Sequence, residues 1–168
     1  MRTSSMRRLF GTSTLALMLS VAGCGVTAAS FRAKPQPMQY PLEERSLIIA
    51  PLLQENSGAR FNANGVTFDI DLNEFSEELA RLLRESLEEA GGSAGAGPEI
   101  RVQVDYVDFM FQGPCLLDYR VVLGDGEPFG LQSSGDSTNF AYACRAALEA
   151  AVSQVFDDER TVTFLGLQ

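Results

Sequence analysis

The chain has 168 residues, 22 acidic against 13 basic, and contains no histidine. Its net charge of −9 repels nucleic acid and anionic lipid headgroups. Without an imidazole the ordinary Ser-His-Asp and Cys-His catalysts are excluded.

Arg2, Arg7 and Arg8 make the amino end positive, and no acidic residue precedes Glu43. Leu15 to Val21 is apolar but too short to cross a bilayer as a helix, and the small residues Ala22 and Gly23 follow. That order is the order of a secretory signal peptide. The tetrad Val21-Ala22-Gly23-Cys24 resembles the lipobox of bacterial lipoproteins. The resemblance implies cleavage before Cys24, a diacylglycerol on its thiol and usually acylation of the new amino end. Several acyl chains hold a protein on a membrane far more firmly than one does. The competing reading is an ordinary signal peptide with an incidental cysteine. Arg7-Arg8-Leu9-Phe10 also resembles a twin-arginine export signal, which leaves two export routes open. Gly25 stands where, in that family, an aspartate retains lipoproteins at the inner membrane. The resemblance therefore implies the periplasmic face of an outer membrane.

The sequence thus divides into a signal peptide (1–23), a lipidated cysteine with a flexible tether (24–45) and a single periplasmic domain (46–168). Removing residues 1–23 and their three arginines leaves 145 residues with net charge −12, enough for one real core. Membrane contact must then come from the acyl anchor, since Lys34 is the sole lysine. Pro35, Pro37 and Pro41 mark the tether. No second apolar stretch approaches transmembrane length.

In chain order, Ser46 to Leu53 is a continuous apolar run, predicted as a buried strand or a sheet edge near Pro51. Gln54 to Gly65 is polar and turn-rich. Val66 to Leu72 alternates strictly, a half-buried strand with Asp69 and Asp71 outward. Leu72, Phe75, Leu79, Leu82, Leu83 and Leu87 then form one helical stripe, capped by Asp71 with Glu74 three residues on, and ended by Gly91-Gly92. Glu77 with Arg81, and Arg84 with Glu88, are spaced as ion pairs on the wet face. Gly91 to Gly97 reads as a flexible connector. Ile100, Val102, Val104 and Tyr106 share a strand face, after which Val107, Phe109 and Phe111 take the opposite phase. A β-bulge at Tyr106–Val107 would turn both sets inward, burying Val104, Tyr106, Val107 and Phe109. Leu117, Tyr119, Val121 and Leu123 form the return strand, and a weaker strand follows near Phe129–Leu131. The last helix runs from about Thr138 to Phe156, with Ala141, Cys144, Leu148, Ala151, Val152 and Val155 on one face. Asp157-Asp158-Glu159 lies at its unfavourable, carboxyl end. Val162 and Phe164 suggest a short strand or docked tail.

This order predicts an α+β two-layer domain, a mixed or antiparallel sheet with two amphipathic helices packed on one face. Residues 46–157 resemble, by element order, the small envelope lipoproteins with a TolB-amino-terminal-like domain. That group includes penicillin-binding-protein activator, curli-secretion and exopolysaccharide-export lipoproteins. The resemblance implies a binding or assembly role in the periplasm; the cysteine pair and short hairpin region depart from it.

With Cys24 assigned to lipid, Cys115 and Cys144 form an even pair in an oxidising compartment, which predicts a structural disulfide. Two thiols are too few for zinc, and they lack the close spacing of a redox motif. Asp69, Asp71 and Asn73 alternate like the first ligands of a calcium loop, but Glu74 replaces its glycine and Ala80 its final carboxylate. They read instead as a strand face and a helix cap. No catalytic residue, metal or cofactor is assigned. Two function classes remain. One is a membrane-anchored, non-catalytic accessory, assembly or partner-binding module, acting through a sheet edge or through aromatics such as Phe129 and Phe140. The other is a carrier of a small apolar or lipid ligand. An envelope protein partner and the lipid bilayer are the expected contacts, and nucleic acid is not.

Overall fold

The computed structural model describes residues 33–38, 40, 42–63, 66–109 and 113–167. These form an α+β domain with a four-stranded sheet, a separate two-stranded sheet and three helices. In chain order they are β1 (Ser46–Pro51), β2 (Gly58–Ala63), β3 (Val66–Asp71), α1 (Leu72–Glu89), β4 (Ser93–Phe109), β5 (Cys115–Leu123), β6 (Phe129–Gly135), α2 (Phe140–Asp157) and α3 (Glu159–Leu165). The large sheet has the order β1-β4-β5-β6, with β1 parallel to β4 and the remaining pairs antiparallel.

One face of this sheet builds the core. Ile100, Val102, Val104, Val107, Phe109, Cys115, Leu117, Tyr119 and Val121 are all buried, while the alternate residues Arg101, Gln103, Asp118 and Arg120 turn the other way. Against the buried face lie α1, over β1 and β4, and α2, over β5 and β6. The predicted stripe of α1 is buried along its whole length, from Leu72 to Leu87. A fully buried leucine or phenylalanine contributes roughly 1.5–3 kcal/mol, so tertiary packing rather than intrinsic propensity secures this helix. Asp71 caps it by accepting from the Asn73 amide, and Gly91, at φ 84°, follows its last turn.

The expected ion pairs on α1 are replaced by others. Arg81 pairs with Glu78 and Glu85, both within 2.5 Å, and the Arg84 guanidinium donates to the Ile49 carbonyl at 2.8 Å. Three- and four-residue spacings offer a helical arginine several equivalent carboxylates, and an edge-strand carbonyl on β1 claims Arg84.

Four other expectations are corrected. The polar stretch before β3 contains β2, which pairs with β3 from Gly58↔Asp71 to Ala63↔Val66. The stretch Gly91–Gly97 is no free connector, because Ser93 and Ala94 pair with Ser46 and Leu47 before the register jumps to Ile48↔Glu99. Gly97, at φ 106°, lies so close to the Ser46 carbonyl that no Cβ would fit. The bulge in β4 falls at Asp105, between Val104↔Tyr119 and Tyr106↔Asp118. Because the extra residue precedes Tyr106, that ring turns outward and is 46% exposed, while Val107 and Phe109 are buried as predicted. Phe111 lies outside the described residues. Last, Val162 and Phe164 belong to the helix α3 rather than a strand. Asp158 is its N-cap, accepting from the Arg160 amide, which explains the acidic run as the start of a new helix. Hydrogen bonds and the charge of Arg160 hold the Asp158 carboxyl below the usual carboxylate range.

Part of the expected tether packs on the domain. Ala33 and Leu42 are buried. The Arg81 guanidinium donates to the Ala33 carbonyl, the Lys34 amide donates to Glu149, and the Gln36 amide donates to the Ser86 hydroxyl at 3.0 Å.

Beyond the end of β1, side chains take over its hydrogen bonds to β4. The Ser76 hydroxyl accepts from the Val104 amide and donates to Leu72, while the Gln54 amide group donates to the Val104 carbonyl. Gln54 is itself clasped by Asn73 through two bonds, at 2.9 and 3.0 Å. Ser76→Ala therefore leaves a buried N–H without its partner. We expect a loss of about 1–3 kcal/mol in urea unfolding; an unchanged midpoint would show that the Val104 amide finds another acceptor.

Candidate functional site

Of the sequence-derived site residues, Cys24 lies outside the described residues. Cys115 and Cys144 are joined in a disulfide, with α-carbons 4.9 Å apart. Both residues are fully buried, so the bridge ties the first residue of β5 to the first turns of α2 inside the core. Beside it, Cys115 pairs with Gly135. A Cβ on Gly135 would fall inside contact with the Ala143 carbonyl and the Ala147 amide nitrogen, and 2.7 Å from the Ala146 methyl. A glycine, a disulfide and a run of alanines together bring α2 down onto the sheet.

Asp69, Asp71 and Asn73 are not gathered around a common point. Asp69 pairs with Arg60 at 2.8 Å, Asp71 caps α1 and Asn73 holds Gln54. Among the described residues no group of three His, Cys, Asp or Glu side chains is placed to hold a metal ion.

The two aromatics singled out as partner contacts are engaged within the fold. Phe140 forms a trio with Phe68 and Phe109, ring centroids 5.5–5.8 Å apart, which fastens the β2–β3 hairpin to the main body. Phe129 lies under the Arg160 guanidinium, 3.6 Å from the ring centre.

What the fold leaves open is the outer face of the sheet and one of its edges. The outer face carries paired polar residues beside the exposed Ile48 and Tyr106: Arg120 forms two bonds to Asp105, and Gln132 donates to Asp118 at 2.6 Å. The β1 edge is closed off by Arg84 on Ile49, by Pro51, which lacks an N–H, and by the Gln54–Ser76 cluster. The β6 edge differs. Gly124 donates to Glu99 across the end of the β4–β5 pair, and alternation from that bond makes Val121, Tyr119 and Leu117 the β5 residues bonded to β6. The backbone groups of Gly130, Gln132 and Ser134 consequently point away from the sheet, and all three residues are exposed.

Two cavities lie at the periphery. One of about 430 Å³ is lined by Gln36, Pro37, Met38, Tyr40, Ser86 and Glu89, between the amino-terminal stretch and α1. Another of about 330 Å³ lies between Tyr40 and the start of α3. The Tyr119 hydroxyl, buried between β5 and α2, donates to Gln154 at 2.9 Å, and burial raises its pKa above the ordinary tyrosine value.

No family model matches the chain, and no curated protein matches it. Among solved structures the chain is similar to a Xanthomonas campestris protein of the DUF330 family, with 12% identity and a TM-score of 0.46, over 74% of this chain and 88% of that one. It is also similar to an uncharacterized protein, with 15% identity and a TM-score of 0.38, over 72% of this chain and 94% of the other.

Proposed function

We propose that the chain is an envelope lipoprotein, cut before Cys24, lipidated there, and acting as a non-catalytic accessory or partner-binding module. The observation that carries this reading is the sequence of the amino end: arginines, a short apolar stretch, then Val21-Ala22-Gly23-Cys24. The buried Cys115–Cys144 bridge supports it, because such bonds persist in oxidising compartments outside the cytosol. Among the described residues no helix is long and apolar enough to cross a membrane, so on this reading attachment rests on the acyl chains. Gly25 after the cysteine favours the periplasmic face of an outer membrane.

The alternative role, carrying an apolar ligand between helices and sheet, calls for an enlarged apolar cavity there. That layer is instead occupied by fully buried side chains, including Leu79, Leu83, Ala147, Leu148 and Val152, which favours partner binding.

Cys24→Ser is expected to release the protein from the membrane fraction or leave it uncleaved, read by fractionation and intact-mass measurement. A variant that is cut at the same bond and stays on the membrane would refute the lipid anchor.

A further inference from the structure

Along its own length the β6 edge lacks the devices by which proteins protect a free strand; charge and proline stand only at its ends, at Glu127, Pro128 and Asp136. Phe129 to Gly135 contains no charged residue and no proline, and its register with β5 runs unbroken from Val121↔Phe129 to Cys115↔Gly135. Among the described residues no strand lies beyond it. Three N–H and three C=O groups, on Gly130, Gln132 and Ser134, face outward by the alternation of the ladder. On the core side Phe129 and Leu131 are only half-buried, so an apolar margin runs along the edge. These features together make a template for strand addition.

Charge selects the occupant. Asp125 and Glu127 stand exposed before β6 and Asp136 stands exposed after it. Two copies joined antiparallel along this edge would set Asp125 and Glu127 of one against Asp136 of the other, on chains that are each strongly acidic. The nearby Arg160 is neutralised by Asp158 at 2.7 Å and lies over Phe129. We infer that the β6 edge binds an extended segment of a partner protein as a fifth strand, with Lys or Arg flanking alternating apolar and polar residues. This deepens the partner-binding reading and rests on it.

The test uses the purified full-length protein and a synthetic peptide of alternating valine and threonine with lysines at both ends. Titration calorimetry should show binding, and hydrogen exchange should show the Gly130, Gln132 and Ser134 amides, fast in the free protein, slowed by the peptide. A counterpart ending in glutamates should bind about tenfold more weakly or worse. Gln132→Pro removes the central outward donor while keeping every backbone bond to β5; it loses only the exposed side-chain bond to Asp118, so it should weaken the lysine peptide by about tenfold and cost at most about 1 kcal/mol of stability. If that variant fails to fold, exchange on the unaltered protein still decides. Amides that remain fast under saturating peptide overturn the proposal. So does their protection in a dimer detected by sedimentation, which would assign the edge to a second copy. Membrane release by Cys24→Ser is read separately, so loss of the anchor reading and loss of this site are distinguishable.

Discussion

Replacing Cys115 and Cys144 together by alanine should lower stability by about 3–4 kcal/mol. The bridge spans 29 positions, and closing a loop of that size in the unfolded chain corresponds to that free energy in the chain-entropy argument. Such a loss is a large fraction of the roughly 5–15 kcal/mol that holds a domain together. The position adds to the effect, because both residues are buried where α2 meets the start of β5. Denaturant unfolding of the double variant beside the unaltered protein, both without reductant, measures it. Equal midpoints would show that the unfolded chain is already constrained there without the bond.

The second large effect is expected at Gly135. Its φ is not in the left-handed region, so alanine meets no backbone strain there, and the cost is purely one of space. The atoms in the way are backbone atoms of α2, at Ala143 and Ala147, which cannot rotate aside as a side chain would. Gly135→Ala must therefore lift the helix from β6 or bend the end of the strand. We expect about 3 kcal/mol of destabilisation, at the upper end of the ~1–3 kcal/mol typical of overpacking. Gly130→Ala is the matched control on the same strand, since its added methyl enters open space and should change stability by less than about 1 kcal/mol. A Gly135→Ala protein as stable as the control would mean that α2 is not held down as the structure shows.

The parts of the fold legible in the sequence are those with a strong period. The leucine stripe of α1, the alternation of β3 and β5 and the small-residue face of α2 each point to one element, and each forms. The misread parts are those where tertiary contact overrides a weak local pattern. β2 has few apolar residues and exists because β3 and α1 offer it partners: Leu72 donates to Ser57 at its base. A signal was nonetheless present, since Ala63 pairs with Val66 and the two residues between are Asn64-Gly65, the dipeptide two-residue hairpins favour. α3 is hidden in the sequence because an acidic run fits the end of one helix as readily as the start of the next. Asp158 as cap and Gly166, at φ 64°, as terminus bracket a two-turn helix. For the bulge, the phase change itself was visible, but whether Asp105 or Tyr106 is the extra residue depends on the facing strand, which one strand's periodicity does not contain. Phe129 and Phe140 read as surface contacts because sequence shows an aromatic residue but not the Phe68–Phe109 pair or the Arg160 guanidinium that meets it. The β6 edge was unreadable for a related reason: being last in a sheet is a property of topology.

The docking of Ala33 and Lys34 against the two long helices limits how far the domain can stray. If Cys24 carries the anchor, nine residue steps separate it from Ala33, a reach of at most roughly 30 Å at ~3.3–3.6 Å per residue, whatever path they follow. That is comparable to the width of a small domain, so the protein would ride on the bilayer surface instead of ranging across the periplasm. Its near side would be the one where the chain enters, beside Arg81 and Glu149, and there the exposed Glu88 and Glu89 would stand toward headgroups that do not attract them. Confinement to so thin a layer would raise the local concentration seen by any partner in the same membrane. A contact too weak to form between freely diffusing molecules would then suffice.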